Sequence, residues 1–158
     1  MWSNPRIPFE LSSHRKRLEP PNGRPLIVNV VMNIEYWPFD QPMPRKLIPG
    51  PHGNDKIPDV TNFSWVEYGM RTGFPRILEA LKRRGLPAST TINASVIDVY
   101  PRVAEVMLEA GWEFMGHGTT NSGTLAGLNP EQERDTIRGI LKTIEQATGK
   151  RPRGWLGA

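Results

Sequence analysis

The sequence contains no cysteine, and this absence excludes several kinds of chemistry. Without thiols the chain can form no disulfide, use no cysteine nucleophile and offer no thiolate to a metal ion. Long apolar runs are also missing, because no stretch approaches the ~20 consecutive apolar residues that a membrane-spanning helix needs. The N-terminal region shows no continuous apolar stretch typical of a secretory signal. We therefore expect no membrane association and a cytoplasmic location.

A strong excess of either charge is missing too. The 20 Lys and Arg residues stand against 16 Asp and Glu residues, which gives a formal net charge of +4. Both signs are spread along the chain, whereas nucleic-acid-binding domains concentrate basic residues on one face. The charge balance therefore predicts a protein without a nucleic-acid partner.

The length limits the fold. A chain of 158 residues suits one domain, with 15 glycines and 16 prolines that predict many loops. An eight-stranded (β/α) barrel needs roughly 200 residues or more, so this chain cannot close such a barrel by itself.

Along the chain, segments with the apolar pattern of strands alternate with segments that have helical spacing. Residues 1–25 are polar and basic, and they predict an extended arm before a domain at residues 26–158. Strands are predicted at residues 25–32, 88–93 and 112–115, with a short fourth strand at 154–156. A long Pro- and Gly-rich loop is predicted at residues 38–64. Helical spacing begins at Trp65, with a helix start predicted at Pro75 and a helix end at Gly85. Helical spacing recurs at residues 101–110 and 129–149. Such alternation predicts an α/β fold with a parallel sheet and right-handed crossovers.

Two residues with acid–base capacity follow predicted strands. Glu35 lies after the first strand, and His117, flanked by glycines, lies after the third. Because the carboxyl ends of parallel strands share one edge of a sheet, these side chains are expected in one cleft. A carboxylate and an imidazole can hold a metal ion, or they can divide the roles of general base and general acid. The alternative is that Glu35 is a solvated loop residue and His117 a structural hydrogen-bonding residue.

Aromatic residues stand next to this pair. Tyr36 and Trp37 follow Glu35 directly and could stack on a flat or sugar ring, or pack against the core instead.

Four stretches of the sequence form a recognisable set of motifs. They are Val-Val-Met-Asn-Ile-Glu at residues 30–35, Glu-Tyr-Gly-Met-Arg-Thr-Gly at residues 67–73, Gly-His-Gly at residues 116–118, and residues 148–155. Together they resemble the polysaccharide deacetylase (NodB-homology) superfamily, in the branch of the cofactor-independent bacterial allantoinases. The first stretch resembles the first motif, an apolar strand that ends in acidic residues, and the second resembles a helix of that branch. The third resembles the second motif, and the fourth resembles the approach to the third motif.

This resemblance implies part of a distorted (β/α)7, TIM-like barrel. It also implies a hydrolase of non-peptide C–N bonds, such as an N-deacetylase of carbohydrate metabolism that acts on a sugar amide or another small molecule. Because the chain stops inside the third motif, we expect it to be the N-terminal portion of a longer enzyme. It would then need the missing C-terminal half, or a homo-oligomer, as its partner.

The resemblance also implies roles for single residues. Glu35 matches the metal-binding acid and His117 the first histidine of the second motif, so these two are expected to be catalytic. Asn33 stands where the family has its catalytic acid, Asn121 stands at the second histidine, and Leu156 stands near a common arginine. Further substrate-binding residues are expected from the same strand ends: Asn33, Tyr36, Trp37, Asn121 and Trp155.

The implied metal set of Glu35 and His117 is incomplete, since an amide is a poor ligand for such ions. We therefore expect either no cofactor or a loosely held divalent ion such as zinc. Because Asn33 and Asn121 replace an acid and an imidazole, the alternative to an enzyme is a non-catalytic binding or scaffold protein, or a fragment without activity.

Overall fold

Three strands form one parallel sheet in the computed structural model, which describes residue 6, residues 8–50 and residues 56–157. The strands are β1 (Val31–Ile34), β2 (Ser89–Ile92) and β3 (Glu113–Gly116), in the order β1-β2-β3. Ile34 pairs with Ile92, and Ile92 pairs with Gly116, so the three strands end at the same level. This arrangement confirms the predicted α/β class with a parallel sheet.

Helices connect and cover the strands. Their bounds are α1 (Val60–Tyr68), a π-helical turn (Gly69–Gly73), α2 (Phe74–Arg83), α3 (Ser95–Val99), α4 (Pro101–Glu109) and α5 (Pro130–Thr148). None of the helices in the described part of the chain is long and apolar enough to cross a membrane.

The longest helix, α5, begins and ends where its sequence signals predicted. The side chain of Asn129 accepts hydrogen bonds from the N–H groups of Glu131 and Gln132, and the Gln132 side-chain oxygen accepts one from the Asn129 N–H. Gly149 follows the last turn with a φ of +70°, which glycine adopts without a steric cost.

The core lies between the sheet and these helices. Ile34 and Ile92 face it from the strands, and the apolar faces of α2 and α5 cover them. The rings of Phe74 and Trp112 meet edge to face, with centroids 6.2 Å apart. Other buried apolar side chains complete the layer: Leu78, Leu81, Met107, Ile140 and Ile144.

The prediction of the first strand was wrong at both ends. Leu26, Ile27 and Val28 were predicted inside it, yet they lie outside β1 and are more than 70% exposed. The register explains why, because Val31 pairs with Ser89 and residue 29 would therefore stand opposite Pro87. Proline has no N–H to donate to a ladder, so pairing cannot extend further in that direction.

The predicted loop at residues 38–64 ends earlier than expected. Helix α1 begins at Val60, and the Asp59 side chain caps it by accepting a bond from the Asn62 N–H at 3.1 Å. The apolar spacing misses this start, because the only buried side chain of α1 is the polar Asn62. Pro75 lies in the first turn of α2, as predicted, but the backbone is already helical before it. The π-helical turn widens the helix there, which makes room for the proline ring.

The predicted fourth strand is a single bridge, in which Trp155 pairs in parallel with Gly116. The Gly116 N–H donates to the Gly154 carbonyl at 3.1 Å, and the Leu156 N–H donates to the Gly116 carbonyl at 2.9 Å. The short helix α3 was not predicted. A 3₁₀ turn at Pro21–Gly23 lies in the N-terminal arm, and the domain boundary at residue 25 stays a prediction.

Candidate active site

Glu35 and His117 meet at the carboxyl edge of the sheet. Each residue directly follows the last residue of a strand, β1 or β3. The Glu35 Oε1 and His117 Nε2 atoms are 3.3 Å apart, and the side chains are only 23% and 6% exposed. The two side chains predicted to share a cleft are therefore in contact.

A backbone carbonyl fixes the tautomer of His117. The Nδ1 atom of the ring lies 2.9 Å from the carbonyl oxygen of Leu156. A carbonyl can only accept a hydrogen bond, so Nδ1 carries a hydrogen. Nε2 and the Glu35 carboxylate would then be two facing acceptors unless a proton lies between them. A hydrogen bond across this contact needs one proton, carried either by His117 Nε2 or by Glu35.

The second oxygen of Glu35 is held by Trp37. The indole Nε1–H donates to Glu35 Oε2 at 3.1 Å. Trp37, predicted as a stacking platform for substrate, thus binds the carboxylate and orients it toward His117. Whether its ring also contacts a substrate stays a prediction.

Tyr36 is fixed through its backbone. Its N–H donates to the side-chain oxygen of Asn93 at 2.9 Å, and its carbonyl accepts from the N–H of Asn121 at 2.8 Å. Its ring and the Tyr100 ring meet edge to face, with centroids 6.1 Å apart, and the Tyr36 ring packs against the core. Asn121 is thereby brought across the sheet edge to the residue that follows Glu35.

Asn93 lies at a strand end of the predicted sheet, but no role was predicted for it from the sequence. It directly follows β2, is 0% exposed, and lies between the segments that carry Glu35 and His117. Its side-chain amide donates to the carbonyl of His117 while its oxygen accepts from Tyr36. A polar amide at the end of a buried strand was the available signal.

The remaining predicted residues lie around this pair. Asn33 accepts a hydrogen bond from the Thr91 hydroxyl at 2.7 Å, so the amide nitrogen is what it could offer to a substrate. The Trp155 ring lies over Gly116, where a Cβ would meet its Cε3 atom at 2.5 Å, and packs on the core. Trp155 thus adjoins the strand end that carries His117.

A largely apolar cavity of about 320 Å³ opens beside Glu35. This volume falls within the range of small-molecule sites. Its wall combines polar residues of the strand end with residues of the loop and of α1 and α2: Asn33, Glu35, Trp37, Arg45, Trp65 and Ile77.

The residues present do not fit a zinc site of the usual kind. Protein zinc sites use at least three side-chain ligands, drawn from Cys, His, Asp and Glu. Within the described ranges no group of three such side chains could hold an ion. Glu35 and His117 supply two donors, while asparagine stands at positions 33 and 121.

Comparison with known proteins matches this chain to one family. A family model described as polysaccharide deacetylase matches residues 61–157. The chain is 27% identical to a peptidoglycan deacetylase of Helicobacter pylori over 107 residues, which cover 68% of this chain and 36% of that protein. It is 30% identical to a putative polysaccharide deacetylase of Schizosaccharomyces pombe, over 66% of this chain and 33% of that protein.

Solved structures share the fold. The Puue allantoinase matches with a TM-score of 0.63 and 24% identity, over 80% of this chain and 44% of that one. A probable polysaccharide deacetylase from Pseudomonas aeruginosa PAO1 matches with a TM-score of 0.63 and 25% identity, over 80% of this chain and 45% of that one. The chain spans about a third of the curated relatives' length and less than half of these structures.

These matches confirm the resemblance to the polysaccharide deacetylases, and the chain belongs to the polysaccharide deacetylase family.

Proposed function

We propose that this protein hydrolyses a C–N bond, other than a peptide bond, in an acylated sugar or another small amide. One observation carries the proposal, namely the contact of Glu35 with His117 at 3.3 Å while the Leu156 carbonyl holds the far side of the ring. The family of the chain supports the reaction class.

The shared proton suits amide hydrolysis. With the proton on His117, the Glu35 carboxylate takes a proton from water, and the resulting hydroxide adds to the substrate carbonyl carbon. His117 then passes its Nε2 proton to the amide nitrogen, the C–N bond breaks, and an amine leaves. The proton on Glu35 returns to His117, so the pair is restored and the products are a carboxylic acid and an amine.

Neighbouring residues would bind the substrate in this proposal. The Asn33 amide nitrogen is a donor for the substrate carbonyl, since Thr91 already binds its oxygen. Asn121, Tyr36, Trp37 and Trp155 keep their predicted roles in substrate binding. The cavity beside Glu35 offers room for the part of the substrate next to the scissile bond.

The proposed reaction uses no metal ion. Metal-dependent members of the family combine acids and histidines, whereas this chain offers one of each within the described site. A loosely held zinc ion on Glu35 and His117 is the alternative, and chelation separates the two.

The substrate class is proposed from the relatives. One is described as a peptidoglycan deacetylase and another as an allantoinase, which favours N-acetylated sugars and ureides as the first compounds to assay. A cytoplasmic location also stays a prediction of the sequence.

The test measures release of acetate or ammonia from N-acetylhexosamines, chitooligosaccharides and ureides, with and without a chelator. Turnover should persist in chelator, and Glu35→Gln and His117→Ala should each reduce kcat at least ~100-fold, in line with the loss of a general acid or base. His14→Ala and Glu19→Gln are matched controls, because both residues are exposed on the N-terminal arm.

Two outcomes would contradict the proposal. Full turnover in Glu35→Gln and His117→Ala would remove the assigned site. Absence of turnover across the panel, in a folded chain, would favour the non-catalytic binding protein instead.

A further inference from the structure

Asn93 joins the two strand ends that carry the proposed catalytic pair. It follows the central strand β2, and its side chain has no solvent exposure. Its Oδ1 accepts the Tyr36 N–H at 2.9 Å, and its Nδ2 donates to the carbonyl of His117. One side chain therefore holds the residue next to Glu35 on one side and His117 itself on the other.

This bridge lies at the level where the three strands end. At that level the Asn93 N–H donates to the Ile34 carbonyl at 3.2 Å, and the His117 N–H donates to the Ile92 carbonyl at 3.0 Å. Backbone bonds continue beyond β2 and β3, where the Ala94 N–H donates to the Gly118 carbonyl at 3.0 Å. The Asn93 side chain adds one bond toward the β1 side and one toward the β3 side, so a single group connects both neighbours of the central strand.

Only a primary amide can make both bonds. One end must accept from an N–H group and the other must donate to a carbonyl, which an amide does with a single planar group. An aspartate has the same shape but only acceptors when ionised, so its second oxygen would face the His117 carbonyl. An alanine reaches neither partner.

We propose that Asn93 is a positioning residue that sets the Glu35–His117 contact by holding Tyr36 and His117 at a fixed spacing. The inference rests on the proposed function for its effect on turnover, but the geometric effect can be measured without turnover. Asn93 has no contact with reacting atoms, so its substitution acts through the other two residues.

Asn62 offers a matched control. It is also an asparagine, it is 2% exposed, and its side chain likewise bridges backbone groups. Its oxygen accepts from Leu47 and Ile48 and its nitrogen donates to the Ile48 carbonyl, all within 3.0 Å, and it contacts neither Glu35 nor His117. Asn62→Ala therefore removes a comparable buried bridge without touching the pair.

The first measurement is amide hydrogen exchange together with ¹⁵N resonances of the histidine ring. In Asn93→Ala the Tyr36 N–H should exchange at least ~10-fold faster than in the wild-type chain, whereas in Asn62→Ala its exchange rate should be unchanged. In the wild-type chain and in Asn62→Ala, the further change Glu35→Gln should shift the His117 Nε2 resonance. In Asn93→Ala that shift should vanish, because the contact is no longer held.

Asn93→Asp provides a second test of the inference if Asn93→Ala does not fold. It retains the acceptor for Tyr36 and loses the donor for His117, so the Tyr36 N–H should stay protected while the response of His117 to Glu35→Gln disappears. A His117 response that survives in both Asn93 variants would overturn the inference.

Turnover gives the second measurement. Asn93→Asp should lower kcat at least ~10-fold with KM unchanged within about 2-fold, whereas the exposed control His14→Ala should leave both parameters near their wild-type values. If the wild-type chain shows no turnover but the resonance pattern holds, the proposed function fails and the positioning role stands. Wild-type kcat in a folded Asn93→Asp would refute the positioning role alone.

Discussion

The hydroxyl of Tyr100 donates a hydrogen bond to the carboxylate of Glu67, and this bond ties helix α1 to the start of α4. The other oxygen of the carboxylate accepts from Arg71 Nε at 2.6 Å. Glu67 and Arg71 belong to the motif at residues 67–73 that resembles the family. The Tyr100 ring touches Tyr36, so Tyr100 connects the motif to the residue that follows Glu35.

Tyr100 should make the stability of the protein fall at high pH. Burial, the hydrogen bond to Glu67 and the charge of Glu67 raise the pKa of Tyr100 well above its usual value of 10.0. Above pH 10 the unfolded chain loses this proton while the folded chain keeps it, so the free energy of unfolding falls as the pH rises. One proton gives a slope of at most about 1.4 kcal/mol per pH unit, and partial exposure limits the total.

Urea denaturation between pH 8 and 11 measures this slope. Tyr100→Phe should flatten it, whereas the exposed Tyr68, changed to Phe, should leave it as in the wild-type chain. Equal slopes in the wild-type chain and Tyr100→Phe would show that Tyr100 keeps no proton that the unfolded chain loses.

Gly116 is required by the close approach of Trp155. A Cβ at position 116 would stand 2.5 Å from Cε3 and 2.7 Å from Cζ3 of the indole ring, with Leu141 at 3.4 Å on another side. The ring cannot bend away, so Gly116→Ala should displace Trp155 and reduce the free energy of unfolding by about 1–3 kcal/mol. Denaturation followed by tryptophan fluorescence measures both effects.

Gly154→Ala is the paired control on the same bridge. Its Cβ would meet Sδ of Met115 at 2.6 Å, and this flexible side chain can turn aside. We expect a loss below about 1 kcal/mol there. A loss of stability in Gly154→Ala as large as that in Gly116→Ala would show that the rigidity of the indole ring does not determine the size of the effect.

Local signals in the sequence were enough for much of the fold. The cap at Asn129, the end at Gly149 and the apolar stripe of α5 are contained in one segment, so they could be found without knowing the partners. The limits of β1 could not, because they depend on Pro87, which precedes β2 and is distant in sequence. The start of α1 was missed because a polar residue, Asn62, is what it buries.

The candidate site, like the fold, could be predicted from the sequence only in part. Glu35 and His117 were predicted together because parallel strands end at a common edge. The groups that orient them are different, since the Leu156 carbonyl is a backbone atom that every residue has, and Asn93 acts on backbone atoms too. Side-chain chemistry predicts which residues react, whereas register decides which neighbours hold them.

The capping box of α5 should contribute to stability. Asn129→Ala removes the acceptor for the N–H groups of Glu131 and Gln132, which are at 3.0 Å and 2.9 Å. Such caps contribute about 1 kcal/mol, so the urea midpoint should fall accordingly. Asn129→Ser should recover most of the loss, and a chain unaffected by Asn129→Ala would show that the cap is not needed in α5.

Zinc binding should be weak in the natural chain and should strengthen when a third donor is added. Asn121 lies four residues after His117, at the spacing where the family has its second histidine, and its backbone is bonded to Tyr36 beside Glu35. Asn121→His therefore adds an imidazole to the carboxylate and the imidazole already present, which completes the minimum set for zinc. We expect the dissociation constant, measured by calorimetry, to fall at least ~10-fold, which corresponds to about 1.4 kcal/mol. Thr119→His places the same group on the same loop at the wrong spacing and should leave the affinity unchanged. An equal gain in both variants would indicate that zinc binds an added surface histidine rather than the Glu35–His117 site.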